Sequence, residues 1–436
     1  MQITKIYNLI LLILFIMLFL IITNGCKTQN VSTANANGSV KETVVETPAD
    51  AQIKIAKDLV GKNPEIAENQ VKLAAAILQK VRETGDYNLN RQAEVSIAKA
   101  LEIDANNFAA QFLKIQIYLS EHEFHKALDL AEKLEKDNPN SEALLAAITD
   151  AKTELGKYDE AVASAQKLVD FRPNANSYSR VAHLRSLYGD TEGAIEARKL
   201  ALKIADPDDK ENLAWHHSQL GKEFFEIGRF SEAEREFNLA LEIFPEYHWA
   251  LAGKGKVRAV QNDFETAAQI YEKLHKRTSE TERAIFLGDI YKKLGKDAEA
   301  QKIYDEIIKK QKESNGDMHR IALFWADHDT NLDEALMIAK TDRESNADLL
   351  SSDTLSWCLY KKGEFAEAKK YINEAMRLKT KSALFYYHAG MIENALGNRQ
   401  EAVKYLKLSL ATNPAFDLLQ TEIAQTALAK LESKNS

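Results

Sequence analysis

Few residues in these 436 have the type and spacing that reactive chemistry needs. His122 and His125 stand three apart, so on a helix they could offer two ligands to zinc. No third ligand lies nearby in sequence, and the pair falls at a turn between helical stretches, which favours solvated turn residues. Asp327-His328-Asp329-Thr330-Asn331 matches the first half of a calcium loop. Leu332 stands where that loop needs glycine, and Ile338 where it needs a bidentate glutamate. A turn is expected instead, with Thr330 or Asn331 capping the next helix. Gly253-Lys254-Gly255-Lys256 has the composition of a phosphate cradle but lies inside a helical stretch. The carboxylate pairs Glu232/Glu234 and Asp333/Glu334 fall near helix starts, where acidic residues complement the helix dipole. Cys358, within the apolar run 355–360, reads as a small buried hydrophobe rather than a nucleophile. HExxH, P-loop, GxSxG and CxxC patterns are absent. The expectation is a non-enzyme with no catalytic residue, metal or cofactor.

The elements that hold these residues are helical. Only 17 Gly and 7 Pro occur, too few for the turns of a sheet-rich fold. The length exceeds one ordinary globular core, so several domains or a repeat array are expected. A formal charge of −8 and a pI near 5.8 argue against nucleic acid as the main ligand, because such surfaces carry a basic stripe.

Residues 214–247 show the unit. Gly221, Phe224, Gly228, Ala233, Phe237, Ala240 and Pro245 occupy positions 8, 11, 15, 20, 24, 27 and 32 of a period of about 34 residues. Small residues at 8, 20 and 27 let two antiparallel helices approach closely, and large apolar residues at 11 and 24 fill the gaps. Gly228 can close the turn in a left-handed conformation, and Pro245 ends the second helix. This spacing resembles the tetratricopeptide repeat, a helix–turn–helix unit. One hairpin cannot bury its apolar face alone, so the unit predicts its own repetition.

The pattern recurs in register. Residues 74–107 keep Ala93, Ile97 and Ala100, 108–141 keep Tyr118, Ala127 and Pro139, and 142–174 keep Gly156, Ala161 and Pro173. Residues 175–213 keep Ala182, Gly189, Ala194 and Ala201, with extra residues around Pro207. Beyond the 214–247 unit, 248–280 keeps Gly255, Ala267 and Tyr271, and 281–314 keeps Gly288, Tyr291, Gly295, Ala300 and Tyr304. The weaker 315–348 unit has Ala322, Trp325 and Ala335 roughly in place. Residues 349–382 keep Gly363, Ala368 and Ala375, and 383–416 keep Gly390, Gly397, Ala402 and Pro414. The resemblance implies an all-α fold, a right-handed α-solenoid of about ten repeats over 74–416. A leading helix at 51–73 precedes it, and a capping helix and tail at 417–436 follow.

The chain begins with Lys5 and an unbroken apolar run from Leu9 to Ile22, shorter than a comfortable membrane span. Gly25-Cys26 then resembles a bacterial lipobox, although Thr23 and Asn24 depart from its usual residues. That resemblance implies a signal peptide at 1–25 and lipid attachment to Cys26. The alternative is an uncleaved anchor at residues 3–22. Lys27 after the cysteine leans, by resemblance, towards the outer membrane, facing the periplasm. Residues 26–50, rich in Ser, Thr and Asn, read as a flexible tether.

By the same repeat resemblance, first helices line a concave face through positions 2, 5, 9 and 12, and about ten units make roughly one superhelical turn. The groove is then expected to show Trp215, Ser218, Lys222 and Phe225, then Trp249, Ala252 and Lys256, then Ile285, Asp289 and Lys292. Towards the C-terminus it would show Asp353, Trp357 and Tyr360, then Tyr387, Met391 and Asn394. Aromatics beside single charges suit an extended peptide or a partner helix. The alternative is that these aromatics pack between repeats. The carboxylate clamp of chaperone-binding repeats is missing: its positions hold Ser179 and His183, Ser218 and Lys222, and Ala252 and Lys256. The expected function is a membrane-tethered scaffold for protein–protein interaction at the cell envelope, in an assembly, pilus or secretion-type complex. The alternative is a receptor lipoprotein that captures a peptide or nutrient.

Overall fold

The computed structural model describes residues 46–278, 280–313 and 318–433. The leader, Cys26 and most of the expected tether lie outside them. The described residues hold 22 α-helices, one short 3-10 turn at Tyr87–Leu89 and no strand. The first helix, Pro48–Lys62, begins inside the stretch expected to be tether. Thr47 and Asp50 close a capping box there, and Pro48 takes the first turn, where its missing N–H costs nothing. The last helix, Gln420–Ser433, packs on Arg399–Thr412. No described helix is long and apolar enough to cross a membrane.

Antiparallel hairpins follow one another as the spacing predicts. In the unit at 214–247, Lys210–Glu226 pairs with Phe230–Ile243. Gly228 joins them with φ of 73°. The first helix starts early because Asp209 caps it after the extra residues around Pro207, its side chain accepting from the Asn212 amide. The small residues act as expected. A Cβ on Gly221 would stand 2.7 Å from the Phe237 ring, and one on Gly253 of the next unit 2.3 Å from the same ring. Gly255 meets Tyr271, and Gly288 meets Tyr304, in the same way. The glycines at 253 and 255 are thus sites of close helix approach. At position 20, Ala93, Ala127, Ala161, Ala194, Ala233, Ala267, Ala300, Ala368 and Ala402 are all wholly buried.

The winding is tighter than expected. The Leu349 amide donates to the Tyr158 hydroxyl (2.9 Å) across 191 residues, and Asn413 Nδ2 donates to the Phe225 carbonyl (3.0 Å) across 188. Thr380 bonds the Leu187 carbonyl across 193 residues. Successive turns of the coil therefore touch after about five and a half repeats of 34 residues. Ten repeats make nearly two turns, not one. Close approach at the hairpin turns permits this, as described below.

Candidate partner-binding groove

The groove is built from position 9 of successive first helices. Asp150, His183, Lys222 and Lys256 occupy it in Glu142–Glu154, Ala175–Leu187, Lys210–Glu226 and His248–Val260. The charge on Lys222 acts on Glu154, two repeats earlier, on His183, one earlier, and on Glu282, two later. Such convergence is what curvature produces: these helices turn the same face towards one axis. Lys222 itself is exposed.

Charges in this lumen are strongly coupled. Lys256 Nζ lies 3.0 Å from Glu282 Oε1, and Arg320 lies 2.5 Å from Glu282 Oε2. Arg320 and Lys256 hold the Glu282 carboxyl well below the usual carboxylate range, against the opposing effect of burial. Glu282 in turn raises the pKa of Lys256. Glu154 goes the other way: burial, then Asp348 and Asp150, push its carboxyl up to about 7. The lumen thus pairs a fixed ion triad with a carboxyl that titrates near neutrality.

Aromatic groups stand on the same helices. Trp215 is half-buried and meets His216 edge-on at 5.0 Å. Trp249 is 38% exposed, and the Arg283 guanidinium lies 5.9 Å from its ring centroid. Phe225 is half-buried against Phe230 (5.3 Å), and Lys256 sits 5.8 Å over Phe286. Ala252 and Ile285 are partly exposed, whereas Ser218 is buried and donates to the Ala214 carbonyl.

Besides Ser218, four more expected groove residues are not surface at all. Trp357 is 1% exposed, sandwiched between Tyr360 (4.7 Å) and His388 (4.1 Å), and donates from Nε1 to Asp327 Oδ1 at 2.8 Å. Asp353 is buried 2.8 Å from His388 Nδ1. The buried Tyr387 hydroxyl donates to Gln420 Oε1 at 2.8 Å. Asp289 is buried, accepting from the Tyr304 hydroxyl at 2.6 Å, with His328 Nε2 3.2 Å away. Trp357 and Asp353 share a reason: Leu349–Lys361 is covered on nearly every side, partly by Asp327 and His388. Tyr387 is covered by the start of the terminal helix at Gln420, and Asp289 by Tyr304 and His328. Tyr360 and Met391 stay half-buried, Asn394 is exposed, and Lys292 is exposed but paired with Asp297 at 2.8 Å. The structure therefore leaves most of the middle set at least partly exposed and buries half of the C-terminal one.

Glu282, Arg320 and Glu154 belong to the lumen but were not among the expected groove residues. Glu282 was within reach, since it stands at position 2, as Trp215 and Trp249 do. Arg320 comes from the weak unit at 315–348, where register is hard to read.

The other reactive-looking residues resolve into structure. Burial pushes the Cys358 thiol up to about 12, and its Sγ donates to the Ala322 carbonyl. His122 sits in a turn at φ of 60°, and His125 Nε2 lies 3.0 Å from the Ser345 carbonyl oxygen. Asn331 is the N-cap residue of Leu332–Ser345, but its side chain makes no capping bond. Among the described residues, no group of three His, Cys, Asp or Glu side chains could hold a metal ion.

Models of the tetratricopeptide repeat match residues 218–280, 287–314, 353–382 and 383–416. No curated protein matches the chain. Similar solved structures include a tetratricopeptide repeat protein from Parabacteroides merdae ATCC 43184, at 18% identity over 59% of this chain and 98% of that one (TM-score 0.35). The APC/C hetero-tetramer Cut9–Hcn1 is similar at 14% identity over 88% and 93% (TM-score 0.38). The human IFIT1 dimer with PPP-AAAA is similar at 14% identity over 82% and 85% (TM-score 0.46).

Proposed function

Because the chain carries tetratricopeptide repeats, we propose that it is a non-enzymatic scaffold that takes an extended segment or helix of another protein into its lumen. One observation carries this reading: Lys222, exposed in a lumen, lies between a fixed Lys256–Glu282–Arg320 triad and the carboxyl of Glu154. Trp215 and Trp249 add partly exposed aromatic surface on the helices that carry Lys222 and Lys256. Charged positions flanked by partly exposed aromatics suit a polypeptide with mixed side chains better than a uniformly charged polymer.

Pull-downs after cross-linking test it. Trp215→Ala, Trp249→Ala and Lys222→Glu should each lose partners that the parent captures. An unchanged set of partners in all three would remove this face from the site.

The second part of the proposal is a lipid tether at Cys26, placing the scaffold at the bacterial cell envelope, at the outer membrane facing the periplasm. The apolar run Leu9 to Ile22 before Gly25-Cys26 supports it. Cys26→Ser should release the protein from membranes on fractionation. Full retention would favour an uncleaved anchor.

A further inference from the structure

We infer that the coil is held wound by a discrete seam, and that this seam is a latch on its lumen, separable from the folding of the repeats. The inference goes beyond the binding proposal and does not depend on it. Each contact joins the turn of one hairpin to the loop that starts a hairpin of the next coil turn. Gly156 abuts Ala347, and the neighbouring Tyr158 accepts from the Leu349 amide at 2.9 Å. The Arg377 guanidinium stacks over the Tyr158 ring at 5.1 Å. Gly189 abuts Lys379 while Thr380 bonds the Leu187 carbonyl. Gly228 abuts Pro414 while Asn413 Nδ2 donates to the Phe225 carbonyl at 3.0 Å. Earlier in the chain, Gly85 abuts His248, whose Nε2 is 3.0 Å from the Arg82 carbonyl oxygen.

The glycines divide in two. Gly156, Gly189, Gly228, Gly295, Gly363 and Gly397 all close hairpin turns with φ between 69° and 81°. A Cβ on Gly156 would stand 2.1 Å from the Ala347 oxygen, and one on Gly189 2.3 Å from the Lys379 oxygen. At Gly295, Gly363 and Gly397 a Cβ would meet nothing within 4 Å. Turn geometry alone requires glycine at the second group. At the first, the wall of the next coil turn requires it as well. Tyr158 even belongs to the apolar cluster of the C-terminal repeats. Apart from Tyr158 and Leu187, which pack on that cluster, the seam contacts are a few polar bonds and tight approaches, whereas each hairpin buries a continuous core. The seam is therefore the weaker element, and parting it would let the coil unwind around its lumen.

Hydrogen exchange on the full-length chain, read by mass spectrometry, tests this. Gly189→Ala should speed exchange in its own turn and in peptides spanning 376–381, which lie about 190 residues away along the chain. Helices Thr191–Ile204 and Phe365–Ala375 should stay protected. Gly363→Ala carries the same backbone strain and should affect only its own turn. Tyr158→Phe, which keeps the fold's shape, should speed exchange of the Leu349 amide. If Gly189→Ala changes only 175–204, or Tyr158→Phe leaves 347–350 as protected as in the parent, the latch is overturned.

Discussion

At the scale of single residues, exposure separates two tryptophans that sequence position placed in one groove. Trp357 is wholly enclosed, with its indole N–H satisfied by Asp327. Trp357→Ala should cost about 3–5 kcal/mol in urea unfolding, the range for deleting a buried aromatic, while Trp249→Ala should cost much less. Equal losses would contradict the placement of Trp249. Protonation gives a second prediction. Burial, with Arg198 and His217 adding to it, pushes the buried His216 imidazole down to about 4, and its Nδ1 lies 3.1 Å from the Ser179 hydroxyl. Between the unfolded value of about 6.5 and the folded one, the unfolded chain binds a proton that the folded chain refuses. Stability therefore falls as pH drops through that window, by about 2 kcal/mol from this residue between pH 7 and 5. In His216→Gln, the difference in urea-unfolding free energy between those pH values should shrink by about that amount. An undiminished pH dependence would assign the loss to other groups, such as the neutral His248 beside Arg283.

At the scale of the helical hairpin, the sequence was most legible. Position 20 alanines and position 8 glycines report a local requirement, the close approach of two helices joined by one turn. Gly253, at position 6, meets the same requirement, and Gly253→Ala should destabilise by about 1–3 kcal/mol through overpacking against Phe237, measured by denaturant titration. Asp348 caps Leu349–Lys361 by accepting from the Ser351 amide at 2.7 Å, so Asp348→Ala should cost about 1 kcal/mol in the same assay. The burial of Trp357, Asp353, Tyr387 and Asp289 was not legible. Their position in the repeat says which way a side chain leaves its helix. It does not say whether Asp327, His388 or Gln420 will cover it. Weak register had a similar effect at 315–348, whose first helix is described over Met318–Asp327.

At the scale of the coil, curvature sums many small rotations between repeats, and no short stretch of sequence contains that sum. The residues that touch across the seam are 166–193 apart, so a reading by 34-residue units could find the hairpins but not the winding. Winding then decides what the lumen contains. It brings Glu154 and Glu282 within electrostatic reach of Lys222, which stays exposed. The measurement that bears most directly on this account is site-specific photo-cross-linking in cells. A photoreactive residue replacing the luminal Lys222 is compared with one replacing Glu196, an exposed residue on a second helix. The account predicts a protein adduct from position 222 and none from 196. Adducts from 196 with none from 222 would contradict it.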